Sequence, residues 1–448
     1  MVKYIIVIGD GMADNPVPDL GGKTPLEYAR IPMMDTLASV GELGSVRTVP
    51  EGVPPGSDTA ILSIFGYDPR VYYTGRSPLE AAGCGVELAA GDVSYRCNMV
   101  AYEDGDMPFH EKRILSHNGG SIDGESSIAL LAFLLADPGF AALADRNHMV
   151  FYPSPSFRHI AVQKGADIRG LVAAPPHDHP GEVIGGLLPA GCPTAAGLVE
   201  MMALAHALLD CHPINNARRA EGKLPANGIW FWAEGQAVML PSFYEKYRMA
   251  GFVLSAVPLI WGIGALAGLQ YRTVPGATGE LDTDFEGKAA GVLEGLGSGE
   301  SEAVPRSGVG DAALGNGTSE AVSSSGAGSD RLGIGADFAV LHVEAPDECT
   351  HNGDTSGKIQ AIEWLDSRCL TRLVEGLKAW GEDFRMLILS DHKTLTASRS
   401  HDGDPVPYIL YDSRKASGSG LAYTEANALQ GPYIEEGYRL IERLFEIG

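Results

Sequence analysis

Short unbroken apolar runs alternate along this chain with segments whose apolar residues recur every three or four positions. Residues 3–8 (Lys-Tyr-Ile-Ile-Val-Ile) read as a buried strand, followed by a loop, a helix around 32–40 and a strand near 44–48. A turn and helix follow at 54–65. The last third repeats the alternation: strand 336–344, helix 356–380, strand 384–389 and strand 407–411. Strands alternating with helices predict an α/β layered domain with a mostly parallel sheet.

The middle of the chain has a different rhythm. It carries a strand pattern at 93–101, an apolar helix at 126–135, a Pro/His loop at 175–180, an amphipathic helix at 195–209 and a basic loop at 217–223. We therefore expect a smaller inserted α+β domain over 92–224. A discontinuous main domain of 1–91 and 225–448 would surround it, with the chain returning to that domain near 229–232. Residues 295–333 are rich in Gly, Ser and Ala and poor in large apolar side chains, the composition of a flexible insertion. The uncharged stretch 252–269 raises a membrane question, but Pro258 and three glycines divide it better into a strand (251–257) and a helix (259–269).

Composition narrows the partners. The 448 residues include 57 acidic and 33 basic ones, a formal net charge of −24. That field disfavours nucleic acid and anionic membranes, while local arginines or metals can still gather a small anion. The six cysteines are dilute and lack CxxC pairing, so free thiols are expected. No leader precedes the first strand, so a cytoplasmic location is expected. No heptad or exposed apolar stripe speaks to the oligomeric state.

The candidate chemistry lies outside the middle segment. Asp10, Asp347 and Asp391 each follow a predicted strand, and in open α/β sheets ligands gather at the carboxyl ends of strands. Any one of them alone would be read as a turn former or helix cap. Three together, with Ser57, His351, His392 and His401 nearby, point to a site. Asp347 and His351 are spaced i,i+4, which puts both on one face of a turn. Carboxylates and imidazoles together suit Mn²⁺ or Zn²⁺, whereas Mg²⁺ prefers oxygens. Ser57 opens a helix after Gly56, where amide N–H groups would favour a phosphate, and a metal would make its hydroxyl a nucleophile.

An anionic substrate needs cations beyond metals. Arg76, Arg96 and Arg158 are candidates, together with Arg218, Arg219 and Lys223 of the basic loop. Arginine holds carboxylate and phosphate with a bidentate fork.

Longer motifs carry a family likeness. IGDGMAD (8–14), PPGSDTAILSIFGYDP (54–69), YYTGRSPLEAAG (72–83), PHD (176–178), HPINNARRAEGKLPAN (212–227), HVEAPDECTHNGD (342–354) and HDGDPVP (401–407) resemble the cofactor-independent phosphoglycerate mutases of archaeal type. That group belongs to the alkaline phosphatase superfamily, and the likeness covers nearly the whole chain outside 295–333. It implies an alkaline-phosphatase-like fold and two divalent metals (Mn²⁺ or Zn²⁺, with Mg²⁺ or Co²⁺ as further options), one held by Asp347, His351 and His401, the other by Asp10, Ser57, Asp391 and His392. It also implies phosphoryl transfer from 3-phosphoglycerate to Ser57 and back to the 2-hydroxyl without bisphosphoglycerate, a step of glycolysis and gluconeogenesis. The inserted domain would hold the substrate and keep water out, with His177 and Asp178 of the PHD motif among the substrate contacts. Relatives show Gly-His-Ile where this chain has Gly120-Ser121-Ile122, so His117 is the expected substitute for the missing histidine. A bacterial branch of the family has been proposed to act as homoserine kinase. That activity, or a phosphomonoesterase, is the alternative.

Overall fold

The computed structural model describes residues 2–297, 336–415 and 418–446. In chain order its strands are β1 (Lys3–Gly9), β2 (Glu42–Val46), β3 (Val93–Tyr102), β4 (Ile114–Ser116), β5 (Met149–Tyr152), β6 (Arg158–Gln163), β7 (Gly228–Gln236) and β8 (Gly251–Leu254). They continue as β9 (Gln270–Arg272), β10 (Phe338–Val343), β11 (Phe384–Leu389), β12 (Lys393–Leu395), β13 (Ser400–Asp402), β14 (Val406–Asp412) and β15 (Tyr433–Ile434). They fall into two compact units.

The first unit is built on a sheet of order β15-β2-β14-β11-β1-β10-β8-β9. β1 runs parallel to both β10 and β11, and β8 is parallel to β10 and β9, while β14 is antiparallel to β11 and β2. Ile5 and Val7 join the core that holds Leu341, Ile388, Phe285 and Leu373. Ile6 and Ile8 point to the opposite face and are equally buried. Both faces of the sheet are thus covered, which is why these strands read as unbroken apolar runs. The expected mixed α/β fold with a mainly parallel sheet is present.

Local sequence sets the helices. The predicted helix 356–380 forms as Thr355–Trp364 and Thr371–Trp380 joined by a π-helical turn at Leu365–Leu370. That turn aims Asp366 at the first turn of helix Pro32–Val40, where its carboxylate accepts the Met33 and Met34 N–H groups at 3.2 and 2.7 Å. The uncharged stretch splits into β8 and helix Pro258–Leu266, and among the described residues no single helix is long and apolar enough to cross a membrane. The insertion expected at 295–333 lies almost wholly outside the described residues; Gly295 and Leu296 close helix Phe285–Leu296.

The second unit spans Thr74–Met239 among the described residues. It is an antiparallel sheet, β4-β3-β6-β5 with β7 also against β3. Helices Gly124–Ala136 and Pro193–Leu209 contribute Leu130, Leu134, Met201 and Leu209 to a core shared with Tyr95, Phe151 and Trp230. The boundaries expected at 91/92 and 224/225 fall inside this unit. Residues 229–232 do not return to the first sheet: Trp230, Phe231 and Trp232 pair with Asn98, Cys97 and Arg96. An apolar run announces a strand but not the sheet it joins. The basic loop expected at 217–223 is also corrected. Pro213 at the first helical position and the His212 side chain, which accepts the Ile214 N–H, start a helix that runs to Ala220.

Candidate metal centre and anion site

Three parallel strands end side by side in the first unit, and each is followed by an acid. Asp10 follows β1, Asp347 lies in the helical turn Ala345–His351 after β10, and Asp391 follows β11. Gly11, between β1 and the site, has φ +59°, and a Cβ there would collide with Thr394 Oγ1 and Asp347 Oδ1. Its N–H donates to Asp391 Oδ1 at 3.1 Å. Ser57 is the first residue of helix Ser57–Ile64. His401 comes from β13, whose hairpin with β12 pairs it with Thr394.

All seven expected residues of this set come together. Ser57 Oγ lies 3.4 Å from Asp10 Oδ2 and 3.2 Å from His392 Nε2. His392 Nε2 is 3.2 Å from Asp391 Oδ2 and 3.7 Å from Asp10 Oδ1. Asp347 is approached by His351 Nε2 at 3.2 Å and His401 Nε2 at 3.5 Å, and the two imidazole nitrogens are 3.0 Å apart. His351 Nδ1 is 2.9 Å from the Arg399 carbonyl, which can only accept; Nδ1 therefore carries the proton. Arg399 presents that carbonyl from a left-handed conformation, φ +56°.

The electrostatics call for cations. Burial, and then the charges of Asp391 and Asp347, push Asp10 well above the usual carboxylate range. Burial also opposes ionisation of Asp347, but hydrogen bonds from His351 and His401 outweigh it and hold that group well below its ordinary value. The same Asp347 bond raises His351 to about 9. Asp10 Oδ1 and Asp391 Oδ2 are buried without a hydrogen-bond partner. Unpartnered buried carboxylate oxygens beside imidazole nitrogens fit divalent metal ions. Among the described residues, Asp347–His392–His401, Asp10–Asp391–His392 and Asp10–His342–Glu344 each bring ligand atoms within 4.8 Å of one another.

Supporting residues escaped the sequence pattern. His342 reaches Asp10 Oδ2 at 2.9 Å; the only sign in the sequence is a histidine inside the apolar run of β10. Thr394 Oγ1 lies 2.5 Å from Asp347 Oδ1 and 3.2 Å from His392 Nδ1. Buried Lys358 joins Asp14 Oδ2 at 2.8 Å to the Thr394 carbonyl at 2.6 Å and so fixes the strand that carries Thr394.

The second unit gathers part of the expected cation set. Glu80 is bracketed by Arg96 and Arg76, the latter at 3.0 Å. Burial favours a protonated Glu80, yet the two guanidiniums bring its pKa down to about 2. Arg96 lies 4.6 Å and Arg158 6.0 Å from the Trp232 ring centre. Burial and then Arg96 lower Arg158 to about 10, and its Nε is buried with no partner. The His177 ring lies tilted against Trp232, 5.1 Å between centres, and 6.0 Å from His117. Three guanidiniums around one carboxylate leave an excess of positive charge suited to an anion.

The rest of the expected set is engaged elsewhere. Arg218 donates to the carbonyls of Gly119, Gly120 and Leu224, bracing a loop in which Gly119, Gly120 and Ser121 all have positive φ. Arg219 joins Asp104 to Asp210, and Lys223 pairs with Glu221. Asp178 is exposed, 3.6 Å from His177.

Known proteins match this chain over nearly its whole length. The family model for 2,3-bisphosphoglycerate-independent phosphoglycerate mutase matches residues 38–215, and that for the metalloenzyme superfamily matches 332–431. The 2,3-bisphosphoglycerate-independent phosphoglycerate mutase of Methanothrix thermoacetophila is 40% identical, with 99% of each chain covered. The enzyme of the same name from Methanosarcina acetivorans is 38% identical over 96% of this chain and 95% of its own. A solved structure from Pyrococcus horikoshii, 26% identical, covers 99% of this chain and 97% of its own with a TM-score of 0.74. An acid–imidazole centre of this make-up, on a chain that matches these relatives from end to end, has one reading: the chain belongs to the 2,3-bisphosphoglycerate-independent phosphoglycerate mutase family.

Proposed function

We propose that this protein interconverts 3-phosphoglycerate and 2-phosphoglycerate through a phosphoserine at Ser57. The observation that carries the reading is Ser57 Oγ within 3.4 Å of both Asp10 and His392, beside two buried carboxylate oxygens without hydrogen-bond partners. One metal would be held by Asp347, His351 and His401, the other by Asp10, Ser57, Asp391 and His392. Bound there, two divalent cations, Mn²⁺ or Zn²⁺ by donor type, would supply Lewis acidity that lowers the serine pKa and offsets phosphoryl charge.

The chain's own residues do the remaining work. Ser57 Oγ takes the phosphoryl group: its bond to phosphorus forms as the bond to the substrate's 3-oxygen breaks, and the serine proton ends on that oxygen. Amides at the start of helix Ser57–Ile64 favour the negative charge gathered on Ser57. Arg76, Arg96 and Arg158 supply positive charge for the substrate's carboxylate, with His117 and His177 beside them. The glycerate then turns, and its 2-hydroxyl takes the phosphoryl group from Ser57. No bisphosphoglycerate is required, because the serine carries the group between the two hydroxyls.

An enolase-coupled assay tests this, with 3-phosphoglycerate and Mn²⁺ but no bisphosphoglycerate. Activity in the parent, lost by about 10⁴-fold or more in Ser57→Ala, is expected. Release of inorganic phosphate with no 2-phosphoglycerate would overturn it.

A further inference from the structure

We infer that His342 is a positioning residue and not a metal ligand: it is locked with its proton on Nε2 and holds the Asp10 carboxylate in place. This rests on the reading of Asp10 as a ligand.

The order of the strands creates the arrangement. β8, β10 and β1 are consecutive and parallel in the first sheet, with Ile8 opposite His342. Ser255 just past β8, His342 near the end of β10 and Asp10 just past β1 therefore lie in a row. All three are buried, His342 and Ser255 completely.

Hydrogen-bond bookkeeping fixes the protons. The Val257 N–H donates to Ser255 Oγ at 3.0 Å. Ser255 Oγ lies 3.1 Å from His342 Nδ1, and His342 Nε2 lies 2.9 Å from Asp10 Oδ2. A carboxylate that serves as a ligand is ionised and only accepts, so the proton on that last contact belongs to Nε2. A neutral imidazole then accepts at Nδ1, and the Ser255 hydroxyl proton is there to be accepted. The line runs Val257 to Ser255 to His342 to Asp10, each group donating to the next.

The histidines of the metal centre have the opposite pattern. Thr394 has one hydroxyl proton and gives it to Asp347 Oδ1, so at 3.2 Å from His392 it accepts from Nδ1–H. His351 Nδ1 donates to the Arg399 carbonyl. With Nδ1 carrying the one proton of a neutral imidazole, both would offer a bare Nε2 to a cation once any second proton is displaced, as a ligand must. His342 presents an N–H. Of the three clusters with converging ligand atoms, Asp10–His342–Glu344 is therefore a support for a metal ligand. It engages Oδ2 of Asp10 and leaves Oδ1, the oxygen without a hydrogen-bond partner, for a cation.

Zn²⁺ titrations of the full chain test the assignment, alongside ¹⁵N-histidine NMR of the unsubstituted protein. Two equivalents of Zn²⁺ are expected. His342→Leu should weaken one of them about 10- to 100-fold, and His342→Gln, whose amide N–H replaces Nε2–H, should recover most of that loss. The NMR spectrum should show one imidazole with its proton on Nε2 and no ligation shift at two equivalents of Zn²⁺, assigned by its absence in His342→Gln. A third equivalent that shifts the His342 resonances would overturn the inference. So would unchanged affinity in His342→Leu when Asp10→Ala loses one metal. If Asp10→Ala itself binds normally, the metal reading of Asp10 fails, and the role given to His342 fails with it.

Discussion

Thr394 gives its hydroxyl proton to Asp347 over 2.5 Å, and that single donation decides what it can offer its other neighbour. It has only acceptor capacity left for His392 Nδ1 at 3.2 Å. One hydroxyl thus orients an acid of one proposed metal set and an imidazole of the other. Thr394→Val keeps the shape and removes both bonds. Metal affinity should fall about 10- to 100-fold with the fold intact, read by Co²⁺ absorption titration against circular dichroism.

Metal binding should release a proton below pH 9. In the metal-free protein the bond to Asp347 raises His351 to about 9, so at neutral pH its Nε2 is protonated. A cation at that nitrogen must displace the proton. Apparent affinity should therefore rise with pH up to about 9 and level off above it. Calorimetry in buffers of different ionisation enthalpy would count the protons released, and His351→Ala should lower the count.

Chelation should destabilise the first unit. Asp10, Asp347 and Asp391 crowd one buried region, and two of their oxygens have no hydrogen-bond partner. A divalent ion at 100 times its dissociation constant contributes about 2.7 kcal/mol by mass action. The melting temperature should climb with metal concentration, and Asp391→Asn should flatten that climb.

Glu80 ties stability to acid pH in the second unit. Its folded pKa, about 2, lies below the ordinary 4.5. A depressed carboxylate contributes stability above its unfolded pKa and loses it as pH falls through the folded value. The contribution is about 3 kcal/mol, present above pH 4.5 and gone by pH 2. Urea unfolding of metal-free protein should show that fall, and Glu80→Gln should be less stable at pH 7 with the slope in this window reduced.

Arg158 should matter more to substrate than to folding. Its Nε is buried without a partner, and Arg96 repels it. Arg158→Met removes a buried charge only partly offset by Glu80, together with the guanidinium's contact with the Phe157 ring. KM for 3-phosphoglycerate should rise about 10- to 100-fold, the size of a lost charge-assisted hydrogen bond, with the melting temperature unchanged or higher.

The convergence of the proposed ligand residues was legible because strand ends announce them. Asp10, Asp347 and Asp391 each follow an apolar run, and His351 sits one helical turn after Asp347. His342 and Thr394 were not legible, because their roles depend on which strands are neighbours. Nothing local says that β8, β10 and β1 lie in that order. The same blindness placed residues 229–232 with the wrong sheet, since an apolar strand fits any buried edge. Arg218 was read as a loop cation for another reason: its partners, the carbonyls of Gly119 and Gly120, are about a hundred residues away in sequence.

The position of β1 governs how the chain can be made. It is an interior strand, yet its neighbours β10 and β11 begin at residues 338 and 384. During synthesis the second unit can close among nearby strands while β1 waits with both edges unpaired. Contacts of such sequence separation form late and slowly, and open edges invite association in the interval. A ribosome that stalls before β11 releases a chain with Asp10 and Ser57 in place and nothing to complete their centre. Such truncated products carry Asp10 and Ser57 without Asp391, His392 and His401, and they leave an edge of β1 without its β11 partner.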